Sequence, residues 1–446
     1  MALLVGAGLV AALVKRMQPP PPPVRLVPAP KVAPVAAYTP INVNELPGWT
    51  QDSAALALPA LKRSCQKLLD MAPDSTVGRD VIARPAQVWQ DACRVLSQIT
   101  DGDAALRAFL AKDFTAYRVG VAQPNATEES GDRIQDRGTF TAYYETDLNG
   151  SLTRGGSYQV PIYDVPRNLV TVNLKDFLPP SVQLPMGMPG TLVGRLLPRG
   201  DQPDIDATAV GGQIKPYYTR AEIDAAGAIA DDADVLLWAD DPVAVHILHI
   251  QGSGRVTLPD GQSVRIGFAG HNGHAFRGIG SILLEAGELK PGGASMVAVR
   301  EWLATHPVEA ADYMNRNARY VFFRKLEPSE TTDGPLGAQG VSLTPMRSLA
   351  VDPQFIPLGA PIWLDTVDPD NIPLQRLMVA QDVGAAITGA VRGDIFWGHG
   401  EEAFLKAGRM KSAGSYVVFV PNAAAKPVTE PSPANAEDTK GSGAQN

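Results

Sequence analysis

Cysteine is nearly absent from this chain of 446 residues: only Cys65 and Cys93 occur, so at most one disulfide can form within it. Basic residues are outnumbered, 39 Lys and Arg against 47 Asp and Glu, giving a formal charge of -8. No basic stripe is available to neutralise phosphates, which argues against a nucleic-acid partner. Long apolar runs are missing too. The longest, "MALLVGAGLVAALV", has 14 residues before Lys15 and Arg16, short for a membrane span. There is no G-x-S-x-G elbow, no Walker loop and no dinucleotide fingerprint. What is plentiful is glycine and proline, 42 and 39 residues, which favours many turns and strands over long helices.

The apolar start has the length of a secretory signal core, although no basic segment precedes it. The expectation is an export signal. No cysteine follows it, so a lipoprotein anchor is not expected for the chain as written. "QPPPPPVRLVPAPKVAPVAAYTP" then reads as a stiff polyproline-like spacer. Cys65 and Cys93 flank a stretch with helical character. In an oxidising compartment they would close a loop of about 30 residues, worth ~3–4 kcal/mol; in a reducing one they would be buried thiols.

Beyond the spacer, Asp52 or Ser53 is placed to cap a helix, and "GDAALRAFLAKDF" suits another. "GTFTAYYET" and "GSYQVPIYDVP" alternate as half-buried strands do. "YYTRAEID" carries Thr219 with Glu222 three residues on, a capping box. "PVAVHILHIQGSGRVTLPDGQSVRIGFAGHNG" reads as strands, with a hairpin turn at Pro259-Asp260-Gly261. "SMVAVREWLATHP" reads as a helix, and "ARYVFFRKL" and "GVSLTPMRSLAVDPQFIPLGAPIWLDT" as strands. The C-terminal residues have the composition of a disordered tail.

Six histidines raise the question of a metal. His246 and His249, taken as lying on a strand three residues apart, would face opposite ways. His271 and His274 share a loop but have no third ligand at zinc spacing. No metal is expected, nor any cofactor. Gln251-Gly252-Ser253-Gly254 is more informative. Glycines allow close backbone approach, and Gln251 and Ser253 could hydrogen-bond sugar hydroxyls and acetamides; a tight turn with solvated side chains fits equally well. In "AQDVGAAITGAVRGDIFWGHG", Asp382 and Asp394 sit among small and apolar residues. Burial disfavours the charged carboxylate, and a carboxyl protonated near neutral pH is what a general acid requires. The alternative is that one or both carboxylates cap turns or accept backbone N–H bonds.

These segments, in order from about Cys65 to Pro421, resemble the membrane-bound lytic murein transglycosylase A family with its C-terminal three-aspartate domain. The resemblance implies a mainly β protein: a double-psi β-barrel, a smaller inserted β-domain, a few helices, and a glycan groove between the two domains. The implied organisation is residues 1–45 as export segment and linker, 46–165 with 320–421 as barrel, 166–319 as insert, and 422–446 as tail. Asp394 matches the catalytic acid, with Asp382 and Asp365 as supporting aspartates. Gln251, Gly252, Ser253, Asn272, Tyr144 and Trp397 are the implied substrate-binding residues. Two departures stand out: Ala142 precedes the tyrosine pair where the family has glycine, and "HNGHAF" replaces a run ending in proline and tyrosine.

The implied partner is the glycan strand of peptidoglycan, with cell-wall enzyme complexes as further partners and a monomer as the expected state. The implied location is the periplasm, with outer-membrane association, where Cys65 and Cys93 would be bridged. The implied reaction forms 1,6-anhydromuramic ends with one catalytic aspartate. Rival readings are a hydrolase using Asp382 and Asp394 together, and a wall-binding protein without activity.

Overall fold

Apolar residues recur every three to four positions in α1 (Leu58–Leu69) and α2 (Ala86–Ser97), burying Leu58, Leu61 and Leu68 on one and Trp89, Cys93 and Leu96 on the other. That spacing is one helical face. The two faces meet and are joined by a disulfide between Cys65 and Cys93, with Cα atoms 5.4 Å apart, inside the range a disulfide spans. α3 (Asp103–Asp113) follows, begun at Gly102. The computed structural model describes residues 35–100, 102–122, 134–179, 190–197, 213–327 and 334–423. The expected export segment, residues 18–34 of the spacer and most of the tail lie outside the described residues; the end of the expected spacer, from Val35, is instead part of a strand, Val35–Ile41.

The strands relevant to the site are β1 (Val35–Ile41), β2 (Phe114–Ala122), β3 (Gly138–Ser151), β4 (Val160–Tyr163), β5 (Val235–Ala239), β6 (Ser253–Thr257), β7 (Ser263–His271), β8 (Val321–Lys325), β9 (Ser348–Val351), β10 (Pro361–Val367), β11 (Pro373–Asp382), β12 (Arg392–His399) and β13 (Lys411–Pro421). The protein is mainly β. Strand β13 pairs with β10, β10 with β11, β11 with β9, β9 with β12, β12 with β3, and β3 with β13 again. The β11–β9 and β12–β3 ladders are parallel and the other four antiparallel. Phe140, Leu349, Ile362, Leu364, Leu377, Ile395 and Val418 are buried among these strands.

β3 is long enough to serve two sheets. Its first half pairs with β12 and β13; its second half pairs in parallel with β6 and, at Gly150 and Ser151, with β5. A β-carbon on Gly138 would lie 1.8 Å from the Val391 carbonyl oxygen, so the start of β3 admits no side chain. β6, β7 and β8 continue the second sheet over a core that includes Leu148, Ile162, Leu237, Leu248 and Phe323. A separate small antiparallel sheet joins Leu169–Asn173, Thr191–Leu197 and Gln213–Pro216.

Helices α4 (Arg220–Asp224), α5 (Pro242–Gln251), α6 (Ile279–Glu285), α7 (Met296–Thr305), α8 (Pro307–Asn315) and α9 (Gly400–Ala407) complete the labelled elements. Thr219 and Glu222 form the expected capping box on α4, and Leu258 to Gln262 close the expected hairpin turn. Two expectations are corrected. "PVAVHILHIQ" is the helix α5, begun at Asp241 and closed by Gly252 at φ +82°, so His246 and His249 share one buried face. Being apolar nearly all round, the segment has no clean period to distinguish a buried helix from a strand. Ser53 makes no capping hydrogen bond, and Asp52 instead holds Arg347 through paired hydrogen bonds of 2.8 and 2.9 Å.

Candidate active site

Asp394 and Asp382 meet because Ala350 of β9 lies in register with both, Asp382 on β11 to one side and Asp394 on β12 to the other. Two strand spacings put their Cα atoms ~10 Å apart. A register irregularity on the β11 side brings Asp382 level. β3 then supplies a hydrogen bond to each. The Thr141 hydroxyl donates to Asp394 Oδ1. The Tyr143 hydroxyl donates to Asp382 Oδ2 at 2.7 Å. Residues 141 and 143 are two apart on a strand and so face the same way.

The environments of the two carboxyls differ. Asp382 Oδ1 also accepts the backbone N–H groups of Ala338 and Val383, at 2.8 and 2.9 Å. Asp394 takes only the Thr141 donor among the described residues. By surface area both are half-buried, yet each carboxyl is packed round by protein, and desolvation is the largest influence on both. It pushes Asp394 up to about 6, opposed by the Thr141 hydrogen bond and the Arg392 charge and assisted by Asp382. It raises Asp382 as well, against its three donors. Burial and the adjacent carboxylates hold the Tyr143 hydroxyl well above its ordinary value, so Tyr143 stays a donor. Two carboxyls with separate environments can divide acid and supporting roles.

Gln251 ends α5 with its Oε1 accepting the Tyr144 N–H at 3.0 Å. The Gln-Gly-Ser-Gly segment is thus tied to the same short stretch of β3 that holds both aspartates. Ser253 is buried at the start of β6. Trp397 is half-buried and packs against the two apolar clusters on either side.

Three expected site residues are placed elsewhere. Asp365 lies on β10 opposite Gln375, whose amide donates to it at 2.9 Å; six residues of β11 lie between that point and Asp382. Asn272 is buried, its Nδ2 donating to the Tyr218 and Ala318 carbonyls and its Oδ1 accepting from the Tyr320 N–H. It is a structural latch with its polar atoms occupied. Tyr144 is 5 % exposed and packs edge-on against Phe404, so its ring belongs to the core. Thr141, Tyr143 and Arg392 did not stand out in the sequence. The alternation of β3 was the signal that could have placed Thr141 and Tyr143 together.

A polar pocket of about 480 Å³ lined by Asp52, Arg347 and Arg376 touches neither aspartate; carboxyl chemistry, not volume, locates the site. Among the described residues no group of three or more His, Cys, Asp or Glu could hold a metal ion.

The two aspartates and most of strand β3 lie within segments that match known families. Residues 139–324 match the MltA specific insert domain and residues 347–420 the 3D domain. The membrane-bound lytic murein transglycosylase A of Escherichia coli is 31% identical over 277 residues, which cover 60% of this chain and 62% of that protein. The chain thus spans about 62% of the length of that curated relative. The crystal structure of MltA from Neisseria gonorrhoeae has a TM-score of 0.67 at 31% identity, covering 89% of this chain and 96% of that one. A membrane-bound lytic murein transglycosylase from Agrobacterium tumefaciens has a TM-score of 0.69 at 28% identity, over 86% and 98% of the two chains. The chain belongs to the MltA family.

Proposed function

We propose that this chain is a peptidoglycan lytic transglycosylase. It cleaves the β-1,4 bond between N-acetylmuramic acid and N-acetylglucosamine and leaves 1,6-anhydromuramic ends. The observation that carries the reading is Asp394, a carboxyl pushed up to about 6 beside an aspartate that three donors hold. Protonated Asp394 gives its proton to the glycosidic oxygen as the bond to C1 breaks. The C6 hydroxyl of the same muramic residue attacks C1, and its proton passes to Asp394, which is restored. Atoms balance without water, so no second carboxylate need act as nucleophile or activate a water. Asp382 holds the local charge and geometry, and no metal or cofactor enters.

The double-psi β-barrel with an inserted β-domain, cut at 46–165, 166–319 and 320–421, belongs to the same proposal; the closed circuit of six paired strands supports it. Gln251, Gly252, Ser253 and Trp397 are proposed to line the glycan groove. Periplasmic location is supported by the disulfide. Among the described residues no helix is long and apolar enough to cross a membrane.

Digestion of purified sacculi in ¹⁸O-labelled water tests the reaction. The expected muropeptides carry 1,6-anhydro ends without label. Labelled reducing ends would establish a hydrolase working through Asp382 and Asp394 together; intact sacculi would leave a glycan-binding protein.

A further inference from the structure

Arg392 stands two residues before Asp394 on β12, and nothing in the proposed reaction calls for a cation there. Its guanidinium donates to the Thr139 carbonyl at 3.1 Å, to the Gly393 carbonyl, and to Thr141 Oγ1 at 2.8 Å. The same Thr141 oxygen is bonded to Asp394 Oδ1. These contacts fix directions. A guanidinium has donors only, so Thr141 Oγ1 accepts from Arg392. A hydroxyl has one proton, and with the Arg392 bond made, that proton points at Asp394. Oδ1 therefore accepts in either protonation state of the acid.

We propose that Arg392 is a positioning residue: acting through the Thr141 hydroxyl, it commits Oδ1 of Asp394 as a standing acceptor and leaves Oδ2 as the oxygen that carries, delivers and recovers the proton. This inference rests on Asp394 being the general acid and adds which oxygen works and what sets its acidity.

The groups facing Asp394 are few. β3 presents Thr141, with Tyr143 beyond it bonded to Asp382. β11 presents Asp382, which raises the Asp394 carboxyl; β12 itself presents Arg392, which lowers it. β9 presents the uncharged Ala350. On β13, Lys411 lies opposite Thr141 but is exposed. Arg392 is thus the one cation facing the acid among the described residues, and its hydroxyl relay adds a hydrogen bond that favours the ionised form.

The test is the pH dependence of kcat/KM, paired with ¹³C-carboxyl NMR titration of Asp394 in the protein without substrate. Activity requires the protonated acid and falls as pH rises through its pKa. Arg392→Gln is expected to move that alkaline limb, and the NMR midpoint, upward by about one unit. Arg392→Lys keeps the charge and should recover about half of the shift. In a Thr141→Val background Arg392→Gln should add less than half of what it adds alone, because residues that act as a chain are non-additive. Thr141→Ser should leave the midpoint unchanged. An unmoved midpoint in Arg392→Gln with melting behaviour intact would overturn the proposal, and so would full additivity with Thr141→Val. If Arg392→Gln does not fold, the Arg392→Lys and Thr141→Val midpoints decide alone: both unmoved overturns it. Full turnover in Asp394→Asn would instead overturn the assignment of the acid itself.

Discussion

At the scale of single residues, Asp394 is costly to the fold in a pH-dependent way. Its folded pKa of about 6 lies above the value near 4 expected of an unfolded aspartate. The folded state therefore binds the proton more tightly, and stability falls as pH rises from about 4 to about 6, then levels off. Asp394→Asn keeps the shape and removes the charge. We expect its melting temperature to exceed that of the unmodified protein by a few degrees at pH 7 and to match it at pH 4, while turnover drops by a factor of ~10² to 10⁴. Equal melting curves at both pH values would mean the carboxyl is hydrated and not raised. The sequence singled out this pair of aspartates through apolar surroundings within one continuous stretch, and strand register brings the two to one place. The sequence did not reveal Thr141 or Arg392, since a threonine in a strand and an arginine beside a glycine are unremarkable until register sets them against the acid. Asn272, a site residue by resemblance alone, has its amide occupied in the folded chain by two carbonyls and an N–H.

At the scale of elements, α5 shows where sequence reading failed. A run of Val, Ile, Leu and His buried on nearly every side carries no amphipathic period, and β-branched content argued for a strand. Asp241 before Pro242 and Gly252 after Gln251 were the legible signals for a helix. The consequence reaches Gln251. As the last residue of a helix it is not a free loop side chain; it accepts the Tyr144 N–H. Gln251→Ala leaves that N–H without its partner, a loss of ~1–3 kcal/mol. Thermal unfolding should show a lowered midpoint alongside weakened turnover of glycan strands, and Gln251→Glu, which retains the acceptor, should recover most of the stability. Were Gln251→Ala as stable as the parent, the bond to β3 would carry no weight.

At the scale of the whole molecule, the hairpin at Pro259-Asp260-Gly261, the capping box at Thr219 and the strands after residue 340 occur where local pattern put them, whereas the stretch between Cys65 and Cys93, read as helical, is α-helical only at its two ends, with turns and short extended pieces over 70–85. What local pattern could not convey was strand neighbourhood. β3 and β12 are paired across about 250 residues of sequence, and β3 pairs again with β6 across the junction. Glu145, at that junction, is fully buried yet bonded to Arg255 and Arg265 from the second sheet, a charged rivet whose loss of one partner is costly.

The shared strand β3 has a thermodynamic corollary. One strand whose two halves belong to two sheets cannot release one sheet while the other stays intact without tearing its own backbone hydrogen bonds. The two sheets that share β3 should therefore melt as one cooperative unit, unlike domains joined by a linker. Scanning calorimetry should give a single peak with a calorimetric-to-van't Hoff enthalpy ratio near one; two resolved peaks would mean that β3 frays at its middle and the halves are thermodynamically separate.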